Sequence, residues 1–112
     1  VTIDEQGVFK VTMNESLAVA LLTNLLKNAF VHNIDGGHIR ITVTKNGITF
    51  RNSGVEHPLN KEHIFERFYQ GSKKEGSTGL GLAIADSICR LQQLNIKYYF
   101  EQNEHCFEIS QS

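Results

Sequence analysis

The sequence predicts an α+β domain whose helices pack on a sheet, and three features indicate this. Apolar residues recur at helical spacing between Leu17 and Val31 and again between Leu80 and Leu91. Two further regions, 38–50 and 96–109, alternate in the manner of strands on either side of a turn. Because 112 residues can bury one core but not two, we expect a single domain spanning residues 1–112.

The charge balance excludes broad electrostatic binding. Lysine and arginine number 11 against 12 acidic residues, which leaves a net charge of -1, so we expect no nucleic-acid partner and no direct membrane contact by this domain. The longest apolar run, Leu17 to Leu22, is far too short to span a membrane, and the amino terminus lacks the pattern of a signal peptide. We expect a cytoplasmic domain, with Cys89 and Cys106 as small core residues rather than metal ligands.

The first helix is predicted to follow a strand. Val8 to Met13 has a strand-like composition, and Asn14 is suited to cap the helix that comes next. Thr23 and Lys27 are expected to face water. The positions expected to face the sheet are Ala18, Leu22, Leu25 and Ala29.

Two asparagines lie one turn apart on this otherwise apolar helix. Asn24 and Asn28 are mediocre helix formers with amides that need partners, so their presence invites an explanation. In the structural alternative, one amide bonds locally and the other faces water. In the functional alternative, two amide oxygens point into a pocket that holds Mg²⁺ and, through it, phosphates.

Two hairpins supply the predicted sheet. His38 to Thr44 alternates, Asn46-Gly47 makes a tight turn, and Ile48 to Phe50 returns. That strand leads into Asn52-Ser53-Gly54, which is either an ordinary loop or a ligand-binding strand end. The second hairpin joins Ile96–Phe100 to Cys106–Ile109 through residues 102–105.

Between the hairpins the sequence predicts a short helix and then a flap. Residues 61–68 carry an apolar side that follows Pro58, whereas 69–79 is rich in Gly, Ser and Lys. Lys73 and Lys74 are either solvated surface cations or a cationic lid over bound phosphates.

The run Gly76-Ser77-Thr78-Gly79-Leu80-Gly81-Leu82 opens the second long helix. Its glycines allow close approach of an anion, and the N–H groups of the helix start point towards it, although glycine turns also start helices without binding anything. The face of this helix expected to pack on the sheet comprises Leu80, Ala83, Ile84, Ser87, Ile88 and Leu91.

Four motifs in order resemble a known family. Asn24-Leu25-Leu26-Lys27-Asn28-Ala29, Asn52-Ser53-Gly54, Ile64-Phe65-Glu66-Arg67-Phe68-Tyr69 and the glycine-rich run at 76–84 resemble the N, G1, F and G2 boxes of the catalytic ATP-binding domain of bacterial sensor histidine kinases. The resemblance covers residues 14–110. It implies a two-layer α/β sandwich, with a mixed sheet of about five strands backed by three helices.

The same resemblance implies roles for individual residues. Asn28 matches the Mg²⁺ ligand, Asn24 the polar residue beside the metal and phosphates, and both count as catalytic. Asn52 stands where an aspartate usually accepts a hydrogen bond from the adenine amino group, and Gly54 matches the first G1 glycine. The further nucleotide contacts implied are Lys73, Lys74, Thr78, Gly79, Leu80, Gly81 and Leu82.

The implied activity is transfer of the γ-phosphoryl group of Mg-ATP to a histidine on a separate, upstream dimerisation domain, with a response regulator as the next acceptor. The implied location is the cytoplasmic part of a membrane-anchored sensor kinase. None of the five histidines of the chain lies in the family's His-Glu phosphoacceptor motif. Because Asn24 stands where related ATP hydrolases carry a water-activating glutamate, hydrolysis by the domain alone should be slow.

Three departures from the family pattern leave alternatives open. They are Asn52 in place of aspartate, Glu56 in place of a second glycine and Val31 in place of a basic residue. One alternative is a docking module of the same fold that has lost catalysis. The other is a serine kinase of the anti-sigma type, which differs mainly in its partner.

Overall fold

A computed structural model of the protein describes residues 1–31, 37–54, 58–59, 63–65 and 80–111. The elements along the chain are β1 (Thr2–Glu5), α1 (Glu15–Val31), β2 (Ile39–Thr44), β3 (Gly47–Asn52), α2 (Gly81–Leu91), β4 (Leu94–Glu101) and β5 (Glu104–Gln111).

The five strands form one mixed sheet in the order β1-β2-β3-β5-β4. β1 pairs parallel with β2, and the other three pairings are antiparallel. Both described helices pack on the sheet and on each other, α1 against β3 and α2 against β4. The α+β class and the five-stranded mixed sheet are therefore confirmed. The third helix predicted at 61–68 lies largely outside the described residues, of which His63 to Phe65 form a turn.

Asn14 caps α1 as predicted. Its Oδ1 accepts hydrogen bonds from the backbone N–H groups of Ser16 at 2.8 Å and Leu17 at 3.3 Å, which satisfies two of the donors that a helix start leaves without partners. Leu25 and Ala29 are buried as expected, but Leu22 is 40% exposed and Leu21 takes the core position instead. The buried face of α1 thus includes Leu21 in place of the predicted Leu22.

The predicted strand at Val8–Met13 is wrong. No ladder pairs these residues within the described part of the chain, and the amino-terminal strand is β1, at Thr2–Glu5. Phe9, Val11 and Met13 nevertheless pack against the core, while the residues between them are exposed. The segment is extended and half-buried, so it shows strand-like alternation without strand pairing.

The first hairpin is confirmed, but Gly47 lies in β3 rather than in the turn. The turn residues are Lys45 and Asn46, and Gly47 already pairs with Thr44 as the first residue of β3. A Cβ at Gly47 would overlap the carbonyl oxygen of Ile109 on β5. Glycine is required there by the close approach of two strands.

The second hairpin is longer and its turn tighter than expected. Gln102 and Asn103 alone form the turn, with φ of 53° and 60°, the left-handed conformation that suits two-residue hairpin loops. Glu104 and His105, expected in the turn, are buried in β5. The Glu104 carboxylate lies 2.7 Å from His38 Nε2 and accepts a hydrogen bond from Arg40 Nη2 at 2.9 Å, so its burial is compensated by cross-sheet partners.

The core lies between the two helices and the sheet face turned towards them. Cys89 and Cys106 are both fully buried and free, in agreement with the expectation of small buried residues. The core cluster comprises Leu21, Leu25, Phe50, Ile64, Ala85, Ile88, Cys89, Leu94, Tyr98, Phe107 and Ile109.

Candidate nucleotide-binding site

The structure brings the asparagine motif of α1 to the start of α2. A Cβ built on Gly81 would lie 3.4 Å from Asn24 Oδ1 and 3.9 Å from the Asn24 carbonyl oxygen. Asn24 Nδ2 donates a hydrogen bond to the Ala20 carbonyl at 2.8 Å, which fixes the amide and leaves its oxygen on the side of Gly81. Residues 57 positions apart in the sequence are therefore neighbours, as the predicted site requires.

The first turn of α2 is suited to an anion. No described side chain caps the helix: Leu80 occupies the N-cap position and makes no side-chain cap bond. The N–H groups of Gly81 and Leu82 consequently point out of the helix start, where the positive end of the helix dipole adds to their attraction for negative charge. The backbone of Leu80, Gly81 and Leu82 is thus suited to the phosphate contact that the sequence predicts, and the contact itself stays a prediction.

Asn28 lies one helical turn beyond Asn24 on the same side of α1. Both side chains are half-buried, whereas Thr23 and Lys27 are exposed as predicted. Amide oxygens are neutral donors that Mg²⁺ accepts together with phosphate oxygens, and the Oδ1 of Asn24 lies beside the start of α2. The residues present therefore fit a magnesium-bound polyphosphate.

Asn52 is the clearest polar anomaly in the described structure. It ends β3, is only 2% exposed, and its Nδ2 donates a hydrogen bond to the Ser53 carbonyl at 2.8 Å. Its Oδ1 has no hydrogen-bond donor among the described residues. Because an unsatisfied buried acceptor costs free energy, its presence suggests that a ligand donor completes it.

The strand end that carries Asn52 is held in place by the neighbouring strand. His38 N donates to Ser53 Oγ at 2.8 Å, and Ser53 N donates to the His38 carbonyl at 3.1 Å. Gly54, the next residue, is buried. This double bridge extends the β2–β3 pairing beyond the strands, so Asn52 and Gly54 belong to a fixed edge of the sheet rather than to a free loop.

Some predicted site residues lie outside the described part of the chain. They are Lys73, Lys74, Thr78 and Gly79, together with Glu56, the proposed departure in the G1 motif. Their roles remain predictions. The described residues of the site come from α1, the end of β3 and the start of α2.

A separate open cavity of about 720 Å³ lies at the edge strand β4. It is lined by Phe65, Ile96, Lys97, Tyr98, Tyr99, Glu101 and Glu108. None of the predicted site residues that the structure describes contributes to it, and the unsatisfied acceptor of Asn52 is not part of its lining. We therefore assign the candidate site to the Asn24–Gly81 region and the end of β3.

Comparison with known proteins agrees with this geometry. Residues 13–110 match the model of the family described as histidine kinase-, DNA gyrase B-, and HSP90-like ATPase. The chain belongs to this family. Its resemblance to the catalytic domain of sensor histidine kinases is confirmed by individual relatives as well.

Two curated relatives are sensor proteins of bacteria. Sensor histidine kinase RppB of Synechocystis sp. is 44% identical over 84 residues, which cover 67% of this chain and 18% of that protein. Heme sensor protein HssS of Staphylococcus aureus is 38% identical over 97 residues, covering 82% of this chain and 21% of that protein. The chain thus spans about a fifth of the length of the curated relatives it matches.

Solved structures show the same fold. The catalytic domain of histidine kinase ThkA superposes with a TM-score of 0.82 at 24% identity, covering 96% of this chain and 74% of that one. The mycobacterial sensor histidine kinase MprB gives a TM-score of 0.75 at 19% identity, covering 96% of this chain and 81% of that one.

In the part of this ATPase-family chain that the structure describes, no helix is long and apolar enough to cross a membrane.

Sequence reasoning missed two residues next to the site. His105, which pairs with Asn52 across β3 and β5, was assigned to a turn, and Tyr98 was given no role beyond its strand. Both are buried and joined by a hydrogen bond of 2.7 Å. The alternation of apolar residues along β5 could have placed His105 in the strand, but nothing local in the sequence indicates its partner.

Proposed function

We propose that this domain binds Mg-ATP and donates the γ-phosphoryl group to a histidine of a separate dimerisation domain, as part of a two-component sensor kinase on the cytoplasmic side of a membrane. Membership in an ATPase family and the two sensor relatives support the kinase role in signalling. The observation that carries the proposal is the closeness of Asn24 to Gly81, because it brings an amide oxygen to a helix start that no described side chain caps.

Each described group would have a separate task. The N–H groups of Gly81 and Leu82 would bind phosphate oxygens, Asn28 and Asn24 would hold Mg²⁺, and Asn52 Oδ1 would accept a hydrogen bond from the adenine amino group. When bound, Mg²⁺ neutralises the charge that gathers on the phosphate oxygens during transfer. The chain itself therefore binds and orients the nucleotide, while the attacking nitrogen comes from the partner domain.

Asn24 also bears on the hydrolysis of ATP by water, which we expect to be slow in this domain. Its Nδ2 donates a hydrogen bond to the Ala20 carbonyl, and an amide oxygen is too weak a base to take a proton from water. We therefore expect little phosphate release from Mg-ATP by the isolated domain. The γ-phosphoryl group would instead pass from ATP to the receiving histidine when that histidine is supplied, leaving ADP.

The direct test compares Asn28→Ala with Lys27→Ala. Lys27 is the exposed neighbour on the same helix, so it controls for the change in helix propensity at nearly the same place. By isothermal titration with a non-hydrolysable ATP analogue and Mg²⁺, Asn28→Ala should bind at least about tenfold more weakly, a loss of about 1.4 kcal/mol, while Lys27→Ala binds as the wild type does.

Repeating the titration in EDTA makes the test specific for the metal. If Asn28 acts through Mg²⁺, the difference between Asn28→Ala and the wild type should shrink when the metal is removed. A wild-type domain that binds no nucleotide, or an Asn28→Ala variant that binds normally, would exclude the assigned site. A docking module without nucleotide would also gain no thermal stability from saturating Mg-ATP, whereas binding at about a hundred times the dissociation constant should contribute about 2.7 kcal/mol.

A further inference from the structure

One tyrosine hydroxyl fastens the chain segment after Gly54 to the sheet. Leu59 N donates a hydrogen bond to the Tyr98 hydroxyl at 2.9 Å, and the same hydroxyl lies 2.7 Å from His105 Nδ1. Tyr98 is 5% exposed and His105 is 3% exposed, so both bonds are shielded from water. Leu59 follows Gly54 by five residues, which places this attachment immediately after the G1 motif.

His105 connects this attachment to the proposed base-binding residue. In the antiparallel pairing of β3 with β5, Asn52 and His105 are direct partners, so their side chains lie side by side on the same face of the sheet. The two residues are also both buried. A shift of the imidazole would therefore change the position of the Asn52 side chain, whose amide oxygen is the unsatisfied acceptor of the site.

Aromatic packing holds the tyrosine in a fixed position. The Tyr98 ring is stacked on His105 at a centroid distance of 5.9 Å and contacts Phe107 at 5.1 Å. Phe65, from the F motif, meets Phe107 edge to face at 6.2 Å. The two described pieces of chain between the G1 motif and α2, at Leu59 and Phe65, are thus both attached to this cluster of β4 and β5 side chains.

We propose that Tyr98 and His105 are positioning residues of the nucleotide site, which hold Leu59 and the neighbouring Asn52 in one arrangement before the nucleotide binds. The proposal rests on the proposed function, since it names residues that prepare that site. Neither side chain needs to touch the nucleotide. Without the hydroxyl, the segment at Leu59 would sample other conformations, and binding would have to order it at a cost in affinity.

Tyr98→Phe is the primary variant, because it removes the hydroxyl and keeps the ring. Tyr99→Phe is its matched control: Tyr99 is the next residue of β4, and its side chain lies on the other face of the sheet, where Lys97 approaches its ring. In titrations with Mg²⁺ and a non-hydrolysable ATP analogue, we expect Tyr98→Phe to bind about three- to tenfold more weakly, because the hydroxyl that holds Leu59 is lost, and Tyr99→Phe to bind normally.

Two variants of His105 separate positioning from packing. His105→Asn places an amide near the position of Nδ1 and can keep the bond to Tyr98, whereas His105→Leu fills similar space without a polar atom. We expect His105→Asn to restore most of the nucleotide affinity that His105→Leu loses. Hydrogen exchange of the Leu59 amide, measured without nucleotide, should be faster in Tyr98→Phe and unchanged in Tyr99→Phe.

The outcomes separate this inference from the proposed function. A wild-type domain that binds no nucleotide overturns the proposed function and this inference with it. If the wild type binds and Tyr98→Phe binds equally well, or if Tyr99→Phe is weakened to the same degree, only the positioning role is overturned. Should Tyr98→Phe fail to fold, equal nucleotide affinities of His105→Asn and His105→Leu would overturn the positioning role, and rescue by His105→Asn alone would support it.

Discussion

Asn52 shows how a single buried atom can carry functional information. Its amide nitrogen donates a hydrogen bond to the Ser53 carbonyl, and its amide oxygen lacks a donor among the described residues. Folding therefore leaves one acceptor unsatisfied at the end of β3, at a cost of about 1 to 3 kcal/mol. A ligand that donates to this oxygen would recover the loss, so the proposed site would prefer a base with an amino group at that point.

Replacing Asn52 by leucine should therefore separate stability from binding. We expect the nucleotide-free protein to keep its melting temperature within a few degrees, because the lost bond to Ser53 is offset by removal of the unsatisfied oxygen. Affinity for the ATP analogue should fall about tenfold, and the preference for ATP over GTP should disappear. Calorimetric titration of both nucleotides measures this, with the exposed Asn95→Ala as control; an unchanged preference would contradict it.

At the level of single residues, the sequence singles out candidate site residues only where a motif is local. Asn24, Asn28, Asn52 and Gly81 were all recognisable because each lies within a short motif with its own spacing. His105 was missed because its importance comes from a residue paired with it across the sheet. No pattern in the residues around it reports such a partner.

Among the elements, α2 differs most from its prediction in the face that it buries. Ile84 is 44% exposed and Leu91 is 71% exposed, although both were expected in the core, whereas Ala85 and Cys89 are completely buried. The helix packs against both α1 and β4, and such close packing is easiest at small residues. A prediction that weights large aliphatic residues therefore places the contact on the wrong side.

The buried face of α2 predicts that replacing Ile88 and replacing Ile84 by alanine change the stability by unequal amounts. Ile88→Ala should lower the free energy of unfolding by about 2 to 5 kcal/mol, because it leaves a cavity in the core. Ile84→Ala should cost less than about 1 kcal/mol, since the side chain is largely in water and alanine favours the helix. Urea denaturation of the two variants measures the difference, and equal losses would mean that the buried face is misassigned.

The strand predicted at Val8–Met13 was wrong for a related reason. Alternation of apolar residues reports that one side of an extended chain is buried, and this is true of Phe9, Val11 and Met13. It does not report whether the backbone pairs with another strand. β1, in contrast, exposes all four of its side chains, so the true strand left no hydrophobic pattern to detect.

For the whole molecule, two buried thiols and one half-buried tyrosine make the stability depend on alkaline pH. Burial, with a smaller contribution from the Asp86 carboxylate, raises the pKa of the Cys89 thiol to about 11. Burial also raises the pKa of Cys106 and of Tyr99. The folded protein therefore keeps protons that the unfolded chain releases, and the stability contributed in this way is present below pH 9 and lost as the pH rises towards 11.

Stability should accordingly fall between pH 9 and pH 11. For Cys89 alone we expect a loss of about 2 kcal/mol across this range, and Cys89→Ala should flatten the decline without abolishing it, because Cys106 and Tyr99 still contribute. Urea midpoints measured at intervals from pH 8 to pH 11 give the slope. Parallel curves for the variant and the wild type would show that Cys89 does not contribute.

The position of β1 has a kinetic consequence. β2 with β3, and β4 with β5, close through two-residue turns, whereas β1 reaches its parallel partner only across the whole of α1. β1 also lies at the edge of the sheet, pairs with β2 alone and exposes all four of its side chains, so its addition buries little apolar surface and we expect it to follow the folding transition state. Ile3→Pro, which disturbs this pairing, should then accelerate unfolding in stopped-flow measurements while refolding keeps its wild-type rate.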